Sequence, residues 1–256
     1  MAKLFLIGGA EDRKDDKIIL KRISSIGKNI GICPSALKEN PLDTYKNYKE
    51  IFESFGSDTK ELDIRDSNEA DDEKMLKLLD EIDTIFFTGG DQVRLEEIFK
   101  DTKFLEKLLE KVENNEIVYC GTSAGSMIVP KIIIFDGDYR GLVKGSLNYS
   151  EGFGLVKDFL IDTHFLHRIR MERICQALLC KKYTKGIGLP ENGAIFMQGN
   201  ECEIVGENRV TFVDLSNNKL DYDNVEEGEK FPIVNMNVCL LNHGDKFDLK
   251  KWTIMN

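Results

Sequence analysis

Gly121-Thr-Ser-Ala-Gly125 lies between two apolar runs, Ile117-Val-Tyr-Cys120 and Met127-Ile-Val-Pro130. A short apolar run closed by glycines reads as a buried strand entering a sharp turn. Gly-x-Ser-x-Gly at such a junction is the pattern of a nucleophile elbow, where small residues relieve the crowding around a strained serine. The turn pushes the Ser123 hydroxyl outward and leaves the next amide, that of Ala124, free to donate to an oxyanion. The plain alternative is a glycine-flanked strand-to-helix loop, so the rest of the chain has to supply a nucleophile's partners.

Around the elbow, apolar runs and helical patterns alternate. Strands are expected at 3–7, 29–33, 61–64, 84–87 and 117–120, and helices at 14–25, 43–55, 70–79 and 93–99. This alternation with short links predicts an α/β fold, a doubly wound, mostly parallel sheet with helices on both faces. Ligands of such sheets bind at the carboxyl ends of the strands. Four glycine-containing loops fall at or near such ends: Gly8-Gly-Ala-Glu-Asp12, Thr88-Gly-Gly-Asp-Gln92, the elbow itself, and Gly186-Ile-Gly-Leu-Pro-Glu191. The last quarter changes character, with short strands expected at 203–205, 210–213 and 238–241 between polar turns. They read as a β-rich antiparallel extension of one domain over 1–256, because no long Pro/Gly/Ser linker precedes them.

The 256 residues can bury a sizeable core, and the net charge of −10 argues against nonspecific nucleic-acid binding while suiting a cationic substrate group. No run of eighteen apolar residues is present, so no membrane span is expected. The amino-terminal apolar stretch is too short for a signal peptide, and a cytoplasmic location is the default. The six cysteines are scattered without a Cys-x-x-Cys pair, as buried small hydrophobes in a reducing compartment would be.

Three histidines could act as base to Ser123: His164, His167 and His243. His164 follows the apolar run 159–161 and so sits at a strand end, as Ser123 does, whereas His243 occupies a turn. The base needs a carboxylate to set its tautomer; Glu191 is the first choice, with Asp162 and Asp138 as alternatives. Asp162 is two residues from His164, on the same side if the strand continues, but it could equally cap the following helix. If that helix starts near His164, then His164, His167 and Arg168 form one stripe. Arg168, Arg170 and Arg173 read as a carboxylate-binding cluster or as solvated, ion-paired positions. His164-x-x-His167 lacks a third ligand at metal spacing, so no metal is expected. The Gly8-Gly9 and Gly89-Gly90 pairs complete no phosphate-loop pattern. Their glycines suit close approach of backbone to substrate, and an amide of Gly90 or Asp91 is a candidate second oxyanion donor.

Taken in order, Ile7-Gly-Gly-Ala-Glu-Asp12, Phe87-Thr-Gly-Gly-Asp-Gln92, Gly121-Thr-Ser-Ala-Gly-Ser126, Asp162-Thr-His-Phe165 with Arg168, Arg170 and Arg173, Gly186-Ile-Gly-Leu-Pro-Glu191 and the ending 238–248 span nearly the whole chain. In these motifs it resembles the cyanophycinases, a branch of the dipeptidase E-like serine peptidases with the class I glutamine amidotransferase-like fold. The resemblance implies Ser123 as nucleophile, His164 as base and Glu191 as orienting acid. It further implies a pocket lined by Gln92, Asp162, Arg168, Arg170 and Arg173, no cofactor, and a homodimer. It also implies hydrolysis of cyanophycin, a poly-aspartate backbone with arginine on each β-carboxyl, to β-aspartyl-arginine dipeptides. Thr163 and Pro190 depart from the family, which commonly has Gln and Asp there. The alternatives are a related peptidase acting on aspartyl dipeptides or other short acidic peptides, and an inactive binding protein of the same fold.

Overall fold

A computed structural model describes residues 2–137 and 141–255. The first half runs β1 (Lys3–Ile7), α1 (Ile18–Ile26), β2 (Asn29–Cys33), α2 (Pro41–Ser54), β3 (Asp58–Glu61), α3 (Ser67–Ala70), α4 (Glu73–Leu78), β4 (Thr84–Phe87), α5 (Gln92–Phe99), α6 (Lys103–Glu113), β5 (Val118–Thr122) and α7 (Ala124–Met127). The second half continues with β6 (Ile132–Gly137), β7 (Leu147–Glu151), β8 (Leu160–Asp162), α8 (Met171–Cys180), β9 (Lys185–Gly188), β10 (Gly193–Gln198), β11 (Glu201–Gly206), β12 (Val210–Asp214), β13 (Asn237–Leu241), β14 (Lys246–Asp248) and β15 (Thr253–Ile254).

The main sheet has nine strands in the order β15-β14-β11-β10-β1-β5-β4-β2-β3. Strands β1, β5, β4, β2 and β3 are parallel; β10, β11, β14 and β15 extend the sheet antiparallel from β1. Alternate side chains of one strand feed opposite cores, as the two-residue period requires. Phe5 and Ile7 pack with Ile19, Ile23, Tyr48 and Phe52 from α1 and α2. Leu4 and Leu6 belong to the other face, with Leu95, Phe99, Phe104 and Leu108 from α5 and α6. Because β5 lies between β1 and β4 and all three are parallel, the loops that follow them emerge side by side.

Several sequence expectations shift. The helix expected at 14–25 begins only at Ile18, because the Asp12 carboxylate accepts the amides of Lys14, Asp15 and Lys17 and winds that stretch into a turn. The strand expected at 61–64 is the polar edge strand β3, while Leu62 and Ile64 lie beyond it, fully buried. The helix expected at 70–79 is split into α3 and α4, since Asp66 and Asp72 each cap a new start. Helix α6 was not anticipated, although Thr102 caps it and Phe104, Leu108 and Val112 recur along its buried face. The carboxyl-terminal strands divide between two places: β11 joins the main sheet, whereas β12 and β13 join β9 and β8 in a separate four-stranded sheet, β13-β12-β9-β8. Gly186–Gly188, expected as loop, is part of β9 and runs parallel to β8. No helix among the described residues is long and apolar enough to cross a membrane.

Candidate active site

The backbone after β5 turns at Ser123 with φ +51° and ψ −108°, outside the regions that a side-chain-bearing residue ordinarily occupies. Such a conformation costs on the order of 1–3 kcal/mol and persists only where neighbours over-determine it. They do so here. A Cβ on Gly121 would lie 2.2 Å from the Gly125 carbonyl oxygen, and one on Gly125 would lie 2.4 Å from that of Phe87. The Ser126 hydroxyl accepts the Ile7 amide at 2.9 Å and stands 2.7 Å from the Gly121 carbonyl oxygen, stapling the turn to β1. The Tyr119 hydroxyl donates to the Gly125 carbonyl at 2.7 Å.

His164 arrives from the second sheet. It lies two residues past β8, with φ +50°, and its amide donates to the Gly8 carbonyl at 2.9 Å. The imidazole Nε2 is 2.9 Å from Ser123 Oγ, and Nδ1 is 2.7 Å from Glu191 Oε1. Gly9 lies against the ring, where a Cβ would come within 2.5 Å of Cε1. Glu191 follows β9, and Asn208 Nδ2 holds its backbone carbonyl at 2.7 Å. Parallel pairing of β8 with β9 brings these two loop residues together across 27 positions of sequence.

Burial holds the His164 imidazole below its ordinary value; the Glu191 hydrogen bond opposes this, and Arg168 adds to it. The hydrogen bond from His164 holds the Glu191 carboxyl below the usual carboxylate range, with His167 and Arg168 contributing. A neutral imidazole between a carboxylate and a serine hydroxyl is the protonation state that a general base requires.

The alternative acid Asp162 faces away from the histidine. It is fully buried; its Oδ1 accepts the Thr163 amide at 3.0 Å and Arg170 Nη1 at 2.9 Å, and its Oδ2 lies 3.2 Å from Arg173 Nε. Burial pushes its carboxyl up, against the pull of Arg173 and Arg170. Arg170 also donates to the Thr163 carbonyl at 2.7 Å and Arg173 to that of Ile134 at 3.0 Å, both guanidinium groups being buried. Asp162, Arg170 and Arg173, expected as substrate contacts, are thus joined in a buried network, with Arg170 7% and Arg173 4% exposed. The helix after His164 begins only at Met171, so the stripe of His164, His167 and Arg168 that an earlier start would give does not form on it. Arg168 remains exposed beside the base. Gln92 Nε2 points to the Ile134 carbonyl at 3.3 Å, the acceptor Arg173 also uses.

The Asp91 amide, expected as an oxyanion donor, is engaged by the Ala36 carbonyl at 2.9 Å, and its carboxylate caps α5. Gly89 faces the nucleophile, a Cβ there lying 3.4 Å from Ser123 Cβ. Ala124, at the first position of α7, has an amide without an intrahelical acceptor. His243 Nδ1 accepts the Gly206 amide at 3.4 Å in its turn, and Asp138 lies outside the described residues. Thr163, one of the departures from the family pattern, is buried within the Asp162 network. No group of three or more His, Cys, Asp or Glu able to hold a metal occurs among the described residues.

A cavity of about 290 Å³ opens beside the Ser123–His164 pair, bounded by Gly9, Gly89, Arg13 and Tyr48. Sequence reasoning missed Tyr48, which the apolar face of α2 disguises as core, and Arg13, which follows the quoted loop by one residue. Glu11 in that loop is also buried, accepting hydrogen bonds from the Tyr48 hydroxyl and from Thr122 Oγ1, the latter at 2.6 Å.

Residues 4–205 match the model of peptidase family S51. The chain is 32% identical to a cyanophycinase of Geminocystis herdmanii, over 97% of this chain and 94% of that protein. It is 31% identical to a cyanophycinase of Trichormus variabilis, over 98% of this chain and 87% of that one. Among solved structures, a peptidase from an acI-B1 Actinobacterium superposes with a TM-score of 0.71 at 19% identity, covering 97% of each chain, a likeness of fold.

Proposed function

That this chain belongs to peptidase family S51, and is a serine peptidase, is the premise from which we propose that it degrades cyanophycin through a Ser123–His164–Glu191 triad. The observation that carries the reading is the relay of 2.9 Å and 2.7 Å contacts from a strained serine through a single imidazole to a carboxylate. In this mechanism Ser123 Oγ attacks the scissile carbonyl carbon while its proton passes to His164 Nε2. The amides of Ala124 and Gly90 receive the oxyanion. His164 then protonates the leaving amine as the C–N bond breaks, leaving an acyl-enzyme. Water, deprotonated by the same imidazole, releases the second product and restores Ser123. Glu191 keeps Nδ1 protonated and stabilises the imidazolium in both steps. Arg168, exposed beside the base, is the one member of the arginine trio in this reading with a side chain open to substrate. A cytoplasmic location and, from the family resemblance, a homodimer belong to the same reading.

The test is incubation of the purified enzyme with cyanophycin and mass analysis of the products, with Ser123→Ala as control. Release of β-aspartyl-arginine by the unmodified enzyme alone supports the substrate and the exopeptidase mode. No release, with hydrolysis of short aspartyl peptides, replaces the polymer by the smaller substrates.

Glu191→Gln should lower kcat/KM by about 10²- to 10⁴-fold, because the amide no longer fixes the tautomer or balances the imidazolium. The carboxylate favours the protonated ring, so its loss should also move the acid limb of the pH profile to lower pH. An acid limb that moves to higher pH in this variant would contradict Glu191 as the partner of Nδ1.

A further inference from the structure

Two of the three arginines expected to line the pocket, Arg170 and Arg173, are paired with Asp162. The cation at the nucleophile's own cavity is a different one. Arg13 borders the space of about 290 Å³ that also holds Ser123 and His164. Its side chain is exposed, and its guanidinium carbon stands 5.5 Å from the centre of the Tyr48 ring. The other ionisable groups on this wall are otherwise engaged. Glu11 accepts from the Tyr48 hydroxyl and from Thr122, and His164 is held between Ser123 and Glu191.

The backbone beneath Arg13 is locked. The Asp12 amide donates to Asn192 Oδ1 at 3.0 Å, and the Asp12 carboxylate accepts three amides within the next five residues. Those amides, from Asp15, Lys17 and Lys14, hold the Asp12 carboxyl down to about 2. The ring of Tyr48, itself buried, gives the guanidinium a platform that leaves its N–H groups available.

We propose that Arg13 receives a substrate carboxylate and selects peptides that present a free carboxylate beside the scissile bond. This rests on the cyanophycin reading above, with its aspartyl-peptide alternative, and adds the group that would recognise the chain end. An exopeptidase must distinguish a terminus from an internal bond, and the terminal charge is the most direct difference between them. A planar guanidinium held over an aromatic ring can meet a carboxylate with two parallel hydrogen bonds.

The test compares the unmodified enzyme with Arg13→Gln and Arg13→Lys on aspartyl peptides ending in a carboxylate and on the same peptides ending in a carboxamide. A second readout is protection of Ser123 from a fluorophosphonate probe by β-aspartyl-arginine and by its carboxamide. For the carboxylate, Arg13→Gln should raise KM and weaken protection by about tenfold to a hundredfold, with Arg13→Lys between the two. For the carboxamide, the three proteins should agree within about twofold. Equal losses for both ligands, or no loss for either, would overturn the proposal. If the unmodified enzyme cleaves none of these peptides, the short-peptide reading of the substrate fails by itself. Protection then decides Arg13 separately, and protection that ignores the carboxylate rejects it.

Discussion

Ser123→Ala is expected to remove hydrolysis almost entirely, lowering kcat by about 10⁴- to 10⁶-fold. Alanine retains the Cβ that the φ of +51° already accommodates, and the staple from Ser126 to Ile7 and Gly121 does not involve the lost hydroxyl. Folding should therefore persist, with a melting temperature within a few degrees of the unmodified protein. What disappears is the atom that lies 2.9 Å from His164 Nε2. The proposed oxyanion donors and substrate contacts are untouched by the change, so the variant should still bind product and leave a small residual rate. Steady-state assays on mass-verified protein, together with circular dichroism melts, check both halves. A variant with more than about a hundredth of the normal rate would mean that hydrolysis does not run through this serine.

The second large effect is on stability. Asp162→Ala leaves the buried guanidinium groups of Arg170 and Arg173 without the carboxylate they share. Breaking a buried ion pair from one side typically costs about 3–5 kcal/mol. For a chain of this size, that corresponds to a fall of roughly 6–20 °C in melting temperature. Asp162→Asn, which keeps the shape and an acceptor oxygen, should lose less. Arg170 also ties down the Thr163 carbonyl, immediately before His164, so the folded fraction of Asp162→Ala should lose activity as well. Urea titrations of the three proteins measure the first effect, and single-turnover assays the second. A midpoint for Asp162→Ala indistinguishable from the unmodified protein would show that the arginines find other counter-charges.

Both variants act at places where sequence and structure divided the work. The elbow was readable because its chemistry is local: only glycine fits at positions 121 and 125, and the flanking apolar runs reveal the strand. The parallel core was readable for a related reason. Alternation along β1 separates Leu4 and Leu6 from Phe5 and Ile7, and strands buried on both faces appear as unbroken apolar runs. Element edges were less so. The Asp12, Asp66 and Asp72 carboxylates decide where helices start, and a capping role depends on backbone geometry that residue type alone leaves open.

The assignment of Asp162 and Glu191 shows the remaining boundary. In an extended strand, Asp162 would share a side with His164, and sequence proximity favours that pair. The left-handed backbone at His164 breaks the alternation, sending the imidazole toward Ser123 and leaving Asp162 in the core. Glu191 instead reaches His164 because β8 and β9 pair in parallel. The arginines divide likewise: the start of α8 at Met171 leaves Arg170 and Arg173 turned inward, and Arg168 outward. By itself, the sequence determined the parallel α/β core, the strained serine and the set of residues from which a base and its acid could come. Which carboxylate meets the histidine, which arginines are spent internally, and that Arg13 borders the nucleophile's cavity were decided only by the tertiary structure. Those outcomes depend on strand pairing and side-chain direction between segments far apart in the chain, which no local pattern encodes.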